Sequence, residues 1–245
     1  MTAAGGCNRR MDSGITISVV IPVLDDRAAL AEVLSHLGSS SSSADEIIVV
    51  DGANDPQCRA LCADNRCVYL CSTPGRGNQL NAGASQANGR VIWFLHADSR
   101  PMDSAVDAIH RAINDGVIGG YFLFQFTGAT TWYKRLLSGL INLRTRIGVP
   151  YGDQGLFILR SHYSDIGGFP NTPLFEEVPL VKAARRKGRF VQLAIPIGVS
   201  PRRWEQDGWL RRTLANRMLA LGYAAGISPA TLARRYHAEP SSLNE

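Results

Sequence analysis

The sequence predicts an α/β fold, a Rossmann-like sheet with helices on both faces. Segments of strand and helix character alternate from residue 17 to residue 95, the order typical of a doubly wound sheet. The apolar run at 91–95 indicates a strand that is buried on both faces. Polar groups follow this strand at once, in His96-Ala97-Asp98. Because open α/β sheets bind ligands outside the carboxyl ends of their strands, we expect a site there.

Composition limits the classes of protein and partner. The 245 residues are 45% apolar, which suffices for one sizeable core. A net charge of +5 favours an acidic ligand such as a nucleotide diphosphate, and it is compatible with weak contact to anionic membranes. The basic residues are dispersed until the C-terminal third, so we expect no nucleic-acid partner. No apolar run reaches the ~18–20 residues of a membrane span. We therefore expect a cytoplasmic protein with a flexible tail at 1–14 and, at most, peripheral membrane contact.

The first half has candidate site residues, two of them acids, at the ends of three predicted strands. Pro22 and Val23 end the first strand, where a missing backbone N–H costs little. Asp51 ends the second strand, and Asp98 follows the fourth. The predicted segments are strands at 17–23, 46–51, 67–71 and 90–95, with helices at 25–37 and 55–64. The acids therefore cluster at one edge of the sheet.

A glycine-rich loop over 74–84 leads into a helix. Glycines let the backbone approach a phosphate closely, and a helix N-terminus favours anions. The loop is neither a P-loop nor G-x-G-x-x-G, so by itself it indicates little. Between Asp51 and Asp98 it predicts a nucleotide site.

The second half is less regular. Leu210, Leu214, Met218 and Leu221 mark one helix face. The predicted segments are strands at 119–126, 156–159 and 190–193, helices at 130–146 and near 229–236, and a basic, aromatic connector at 200–204.

Four cysteines lie within fourteen residues, with the spacing C-x3-C-x4-C-x3-C. Zinc knuckles usually have tighter C-x2-C pairs, so we favour reduced cysteines packed as small apolar groups over a zinc or redox site. The four are Cys58, Cys62, Cys67 and Cys71.

A series of short motifs resembles family-two glycosyltransferases, which have the GT-A fold with a Rossmann-like mixed sheet. The likeness covers roughly 17–236 and is closest to the bacterial radical-SAM/selenodomain-associated transferases. The motifs are Val20-Ile21-Pro22-Val23, Val49-Val50-Asp51-Gly52, Gly75-Arg76-Gly77-x-Gln79-x-Asn81-x-Gly83-Ala84, Phe94-Leu95-His96-Ala97-Asp98, Tyr151-Gly152-Asp153-Gln154-Gly155, Gly167-Gly168-Phe169 and Glu176-Glu177-Val178-Pro179-Leu180.

The resemblance implies one domain over 15–240, with a nucleotide-sugar half at 15–100 and an acceptor half with C-terminal helices at 101–240. Asp51 is implied to accept from the N–H of uracil. The other implied donor contacts are Pro22 and Val23 at the base, and Arg76 and Asn81 from the glycine-rich motif. By their chemistry, Arg202, Arg203 and Trp204 can clamp the diphosphate or stack on a sugar, and the alternative is a solvated basic face. The arginines of 202–217 can instead contact a membrane surface.

A divalent cation is implied at Asp98, whose carboxylate suits Mn²⁺ or Mg²⁺. The cation would neutralise the departing nucleotide diphosphate. His96 replaces the first Asp of the family's D-x-D, although the closest subgroup resembles this chain in using H-x-D. It either binds Mn²⁺ or positions Asp98.

The resemblance implies that Glu177 is the catalytic base, with one more methylene than the family's Asp. Glu176 beside it can raise its pKa, and the alternative for the pair is a solvated helix start. Asp153, with Gln154, holds the acceptor or the base, and the alternative is a turn in which Asp153 bonds its own backbone. Ser200 stands where processive synthases have Gln, which argues against polymer synthesis.

The predicted function is an inverting, metal-dependent transfer of sugar, with UDP-sugar as the favoured donor. With one base opposite the leaving group, direct displacement inverts the anomeric centre. The acceptor is left open between a small molecule, a lipid and a glycan. A nucleotidyltransferase is the first alternative. That class generally has a glycine-rich loop directly after the first strand, where this chain has Pro22-Val23-Leu24-Asp25. A non-catalytic nucleotide-sugar binder is the second.

Overall fold

The computed structural model describes residues 14–40 and 44–238, with side chains described as far as residue 234. The strands are β1 (Ile17–Val23), β2 (Glu46–Asp51), β3 (Val68–Cys71), β4 (Val91–Phe94), β5 (Ser99–Pro101), β6 (Gly119–Phe126), β7 (Phe157–Leu159) and β8 (Phe190–Val199). The helices are α1 (Arg27–Ser39), α2 (Pro56–Asp64), α3 (Arg76–Gln86), α4 (Ala105–Asn114), α5 (Trp132–Ile147), α6 (Arg160–Ile166), α7 (Glu177–Lys187), α8 (Arg202–Asp207), α9 (Trp209–Ala224) and α10 (Pro229–Ala238). The predicted tail at 1–14 lies, except for Gly14, outside the described residues.

The described strands form one eight-stranded sheet in the order β3-β2-β1-β4-β7-β6-β8-β5. The strands from β3 to β4 are parallel, with Val20 of β1 opposite both Ile48 and Phe94. All of β4 is buried, as its apolar sequence predicts. The carboxyl ends of β1, β2 and β4 therefore share one edge, where the sequence predicted the site.

Strand β7 runs antiparallel to β4, and this pairing makes the sheet mixed. Phe157 lies opposite Trp93, and the N–H of Phe94 donates to the carbonyl of Leu156 over 2.7 Å. Because β7 begins where β4 ends, the turn before β7 is placed beside His96 and Asp98. The α/β, GT-A prediction of a mixed sheet with helices around it is confirmed.

The glycine-rich motif packs α3 against the sheet. A Cβ at Gly83 would lie 2.3 Å from Cγ1 of Val20, so only glycine lets the helix approach this closely. Gln79 is buried, and its Nε2 donates to the carbonyls of Val23 (2.8 Å) and Val50 (2.9 Å). The motif thus joins the ends of β1 and β2, a packing role in addition to the phosphate approach predicted for it.

Some segments differ from their predictions. The connector predicted at 200–204 is wrong, because helix α8 begins at Arg202. Strand β8 continues to Val199, and neither β5 nor α4 was predicted. The helix predicted around 210–221 is present as α9, but its apolar face is exposed to solvent.

Two of the four described cysteines, Cys58 and Cys62, are buried in the core, and all four are free thiols. For Cys58 and Cys62 this agrees with the predicted packing as small apolar groups, whereas Cys67 is only partly buried and Cys71 is exposed. Among the helices at 14–40 and 44–238, none combines the length and the hydrophobicity that a membrane span requires.

We expect Gly83→Ala to lower the free energy of unfolding by about 1–3 kcal/mol, because the new methyl group clashes with Val20 of the sheet. Gly139→Ala is the matched control, since a Cβ there meets nothing within 4 Å. That variant should gain up to about 1 kcal/mol from helix propensity. Urea unfolding measures both changes. Equal effects of the two substitutions would contradict the close packing of α3.

Candidate active site

Three segments meet at the carboxyl edge of the sheet. They are the residues after β4, the one-turn helix at Gly152–Gln154, and the start of α7. The N–H of Gly152 donates to Oε1 of Glu177 over 2.9 Å. A Cβ at Gly152 would lie 2.6 Å from Glu177 Oε1 and 2.7 Å from His96 Nε2. Those two atoms therefore face the same small space, which a side chain at Gly152 would fill.

Glu176 and Glu177 are almost completely enclosed, with 1% and 3% of their surfaces exposed. Arg76, the first residue of α3, reaches both. Its Nε lies 3.4 Å from Glu176 Oε1, and its Nη1 lies 3.5 Å from Glu177 Oε1. Buried charges require such a partner, so one arginine from the predicted donor half holds both acids of the predicted acceptor half.

Burial changes the protonation of this cluster. Burial, together with the charge of Glu177, raises the pKa of Glu176 to about 7, and Arg76 opposes this shift. Burial and the charge of Glu177 also raise the pKa of Asp153 to about 6, against the opposing charges of Arg144 and Arg76. The pKa of His96 falls well below its ordinary value because of burial and the charges of Arg76 and Arg203. His96 is therefore a neutral imidazole at pH 7, and its Nε2 has no hydrogen-bond partner among the described residues.

The residue before the glutamates has an unusual backbone. Phe175 has φ of +60°, a left-handed conformation that is rare for a bulky residue. Its ring centroid lies 5.7 Å from that of Tyr151 and is stacked at 4.7 Å on Tyr223 of α9. Arg144 of α5 lies over the other aromatic partner, Tyr151, at 4.4 Å. These contacts hold the strained turn that directs the glutamates into the site.

The side chain of Asn81 is hydrogen-bonded to α6 and to the turn that follows it. Its Nδ2 donates to the carbonyl of Phe169 (2.8 Å), and its Oδ1 accepts from the N–H of Phe169 (3.0 Å) and the hydroxyl of Tyr163 (2.6 Å). The side chain therefore positions the turn that precedes the glutamates. Its predicted contact with the nucleotide remains a prediction.

Asp51 is buried at the end of β2, opposite Val23 of β1. Its Oδ1 accepts from the N–H of Ala53 (2.8 Å), while its Oδ2 accepts from the N–H of Asp55 (2.7 Å) and the hydroxyl of Tyr69 (3.0 Å). Asp51 thus shapes the loop that follows β2. Oδ1 retains one lone pair for a base N–H, as the predicted contact with uracil requires.

Asp98 borders a cavity of about 220 Å³ that also includes Ser200, Asp26 and Arg202. Arg202 Nη2 lies 2.6 Å from Asp26 Oδ2, which links α8 to the start of α1. A larger cavity of about 520 Å³, between β6 and α5, contains none of the predicted site residues.

The residues fit a cation that is bound mainly by the diphosphate of the nucleotide and only partly by protein side chains. The described residues contain no group of three or more His, Cys, Asp and Glu that could hold a metal alone. Asp98 is partly exposed beside the cavity, and His96 has an unpartnered, enclosed Nε2. That nitrogen faces Gly152 and Glu177, so Asp98 is the better placed of the two for a cation on a diphosphate.

Arg203 and Trp204 have different surroundings. Arg203 is exposed, and its charge contributes to the lowered pKa of His96, so it lies at the same edge of the sheet. The indole of Trp204 packs edge-on against Phe126 with centroids 4.9 Å apart, and it also contacts Trp209 of α9. Trp204 therefore has a packing role, and sugar stacking by it remains a prediction.

Residues 18–167 match the family described as Glycosyl transferase family 2. The chain belongs to this family. It is therefore a glycosyltransferase, which favours that prediction over the nucleotidyltransferase and non-catalytic alternatives. A comparison with curated protein sequences found no significant match.

Solved structures share the fold at low identity. Glucosyl-3-phosphoglycerate synthase from Mycobacterium tuberculosis, in complex with phosphoglyceric acid, is 19% identical over 76% of this chain and 71% of that chain, with a TM-score of 0.56. S. aureus TarS is 16% identical over 76% of this chain and 37% of its own, with a TM-score of 0.61. Its fragment 1–349 is 17% identical over 84% of this chain and 66% of that chain, with a TM-score of 0.61.

Sequence reasoning missed the roles of Gly152 and Phe175. Gly152 lies within a quoted motif, and its need for glycine follows only from the two side chains that flank it. Phe175 has no sequence signal, since nothing local favours a positive φ for phenylalanine.

We expect Glu176→Gln to flatten the pH dependence of stability. Between pH 4.5 and about 7, Glu176 is protonated in the folded protein but ionised in the unfolded chain. The folded state then binds more protons, so its stability falls as the pH rises. Removing this titration should decrease the fall by roughly 1–3 kcal/mol between pH 5 and pH 8. Urea unfolding at both values measures it.

Asp153 and His96 also have shifted pKa values, but both residues are present in wild type and in Glu176→Gln. Their contributions to the pH dependence therefore cancel when the two proteins are compared. Glu32→Gln, at an exposed position of α1, is the control and should leave the pH dependence unchanged. Parallel curves for wild type and Glu176→Gln would show that the pKa of Glu176 is not raised.

Proposed function

We propose that this protein is an inverting, divalent-metal-dependent glycosyltransferase that moves a sugar from a UDP-sugar to an acceptor hydroxyl. The observation that carries the proposal is the enclosed pair Glu176 and Glu177, held by Arg76 at the sheet edge that also bears Asp98. Two complexes of a solved relative support the donor class. The Mycobacterium tuberculosis synthase forms complexes with Mn²⁺, UDP-glucose and phosphoglyceric acid, and with Mg²⁺ and UDP.

Glu177 acts as the general base. Its carboxylate accepts from the N–H of Gly152 and pairs with Arg76, and both contacts hold it at the sheet edge, where it can take the proton of the acceptor hydroxyl. Glu176 is held beside it by the same arginine, so its role is to orient and tune Glu177. With one base opposite the leaving group, direct displacement inverts the anomeric centre.

Asp98, assisted by His96, would hold Mn²⁺ or Mg²⁺. The cation supplies charge neutralisation to the departing diphosphate. Arg203 adds positive charge at the same edge. Pro22, Val23 and Asp51 bind the base at the ends of β1 and β2.

Asp153 orients the acceptor from the turn before β7, beside Glu177. We also propose that the chain belongs to the radical-SAM/selenodomain-associated subgroup, because its motifs resemble those of that subgroup. It also includes a cytoplasmic location with weak peripheral membrane contact, supported by the net charge of +5. The proposed acceptor is a small molecule, a lipid or a glycan, and not a nucleic acid.

Asp98→Ala tests the metal site. We expect the Mn²⁺-dependent part of UDP-sugar affinity to fall by about tenfold or more, while the melting temperature stays the same. Asp107→Ala, at an exposed site on α4, is the matched control. Titration calorimetry with UDP-glucose, with and without Mn²⁺, gives the affinities. Unchanged affinity in Asp98→Ala would overturn the metal role.

Glu177→Gln tests the base. It keeps the shape of the side chain but removes its basicity, so turnover should fall by ~10²-fold or more with donor affinity nearly intact. Glu176→Gln should have the smaller effect on turnover. Release of UDP from a UDP-sugar is the assay, with slow donor hydrolysis as the readout until an acceptor is found. If Glu176→Gln is the inactive variant, the two assignments are reversed.

A further inference from the structure

Most of the exposed apolar surface lies on two helices. Thirteen large apolar side chains are exposed in the described part of the chain, and ten of them belong to α5 and α9. The ten are Trp132, Tyr133, Leu136, Leu140, Leu143 and Ile147 on α5, and Leu210, Leu214, Met218 and Leu221 on α9. Soluble monomers seldom expose such concentrated apolar surface without using it to bind a partner.

The apolar face of α5 points away from the core. Trp132 and Ile147 begin and end a stripe with steps of three and four residues, so its members share one face. The buried residues of this helix are Lys134, Ser138 and Thr145, which lie on the opposite side. A helix of a globular protein normally has the reverse arrangement.

Helix α9 repeats the arrangement. Its four exposed apolar residues follow the same spacing, and the helix has no buried residue. The two helices touch at their N-terminal ends, where the ring of Tyr133 lies 4.9 Å from that of Trp209. The stripes therefore belong to one surface, which we call the α5–α9 face.

The other end of the α5–α9 face reaches the active site. Near the end of α5, Arg144 lies over Tyr151, the neighbour of Gly152. Near the end of α9, Tyr223 stacks on Phe175, the neighbour of Glu176. Tyr151 and Phe175 also contact each other. An object bound along both stripes is therefore adjacent to the carboxylates.

Charge indicates what covers the face. The two helices contain seven lysine and arginine residues and no aspartate or glutamate. Arg135 and Arg146 flank the stripe of α5, and Arg211 and Arg217 flank that of α9, and all four are exposed. A second copy bound face to face would bring like charges together, whereas anionic headgroups would neutralise them.

We propose that the α5–α9 face docks this protein on the surface of an anionic phospholipid bilayer. The apolar stripes enter the boundary between headgroups and acyl chains, and the arginines bind lipid phosphates. Trp132 and Tyr133 are of the types enriched at that boundary. Each helix has 16 residues and is therefore about 24 Å long, and both helices lie in the membrane plane. This deepens the peripheral contact of the proposed function by assigning its surface and lipid charge.

Vesicle flotation of the full chain tests the docking. Wild type should float with phosphatidylcholine vesicles that contain phosphatidylglycerol and not with pure phosphatidylcholine vesicles, and high salt should weaken the binding. Leu214→Gln/Met218→Gln should lower the partition coefficient by at least about tenfold. The matched control is Met102→Gln/Val68→Thr, which alters exposed apolar residues elsewhere and should bind like wild type.

Charge is tested in the same assay. Arg211→Gln/Arg217→Gln should lower the partition coefficient by about tenfold or more. Arg111→Gln/Arg186→Gln, at exposed sites on α4 and α7, removes the same charge and should have little effect. Equal losses in the two variants would show attraction by net charge alone and overturn the assigned face.

Two further results would overturn the proposal. The first is absence of flotation with anionic vesicles. The second is a dimer in sedimentation equilibrium that Leu214→Gln/Met218→Gln dissociates, which would assign the face to a second copy. Mn²⁺-dependent binding of UDP-glucose is measured on every variant. Its failure in wild type would contradict the proposed function, and loss of flotation with normal donor binding would contradict the docking alone.

Discussion

The active site depends on the contact between Arg76 and two buried glutamates. Glu176 and Glu177 are enclosed by protein, and burial of two adjacent carboxylates is costly without a cation. Arg76 supplies it from the first residue of α3, and the guanidinium is half exposed. The segments joined in this way lie 100 residues apart in the chain. The same contact therefore connects the half predicted to bind the donor with the half predicted to bind the acceptor, beside the proposed base Glu177.

Close backbone approach makes that contact possible. Gly83 lets α3 lie on β1, and a Cβ at Gly77 would lie 2.8 Å from the carbonyl of Pro170. Asn81 adds two hydrogen bonds to the turn after α6 and one to Tyr163 within α6. Gly152 leaves the space that His96 and Glu177 face. The glycine-rich motif that predicted an approach to phosphate therefore also determines where the carboxylates lie. Its glycines let α3 pack closely against its neighbours, and this packing positions Arg76.

Two features of the protein reduce its stability. Buried acids with raised pKa values are less stable when ionised, and such groups concentrate at active sites. The exposed stripes of α5 and α9 leave apolar surface in water. Both features occur along the boundary of Tyr151 and Phe175, where the α5–α9 face meets the carboxylates.

The sequence by itself determined the parallel half of the sheet and the edge that carries the site. Strands β1 and β2 coincide with their predicted bounds, because apolar periodicity and covalent order are local properties. Asp51 at the end of β2 follows from the same local order. Tertiary structure alone decided that β7 pairs antiparallel with β4, that Asn81 holds a turn, and that Trp204 packs among aromatic rings. It also decided that the stripe on α9 faces outward, since periodicity marks a helix face but not what lies against it. These choices rest on partners distant in the chain, which local pattern does not encode.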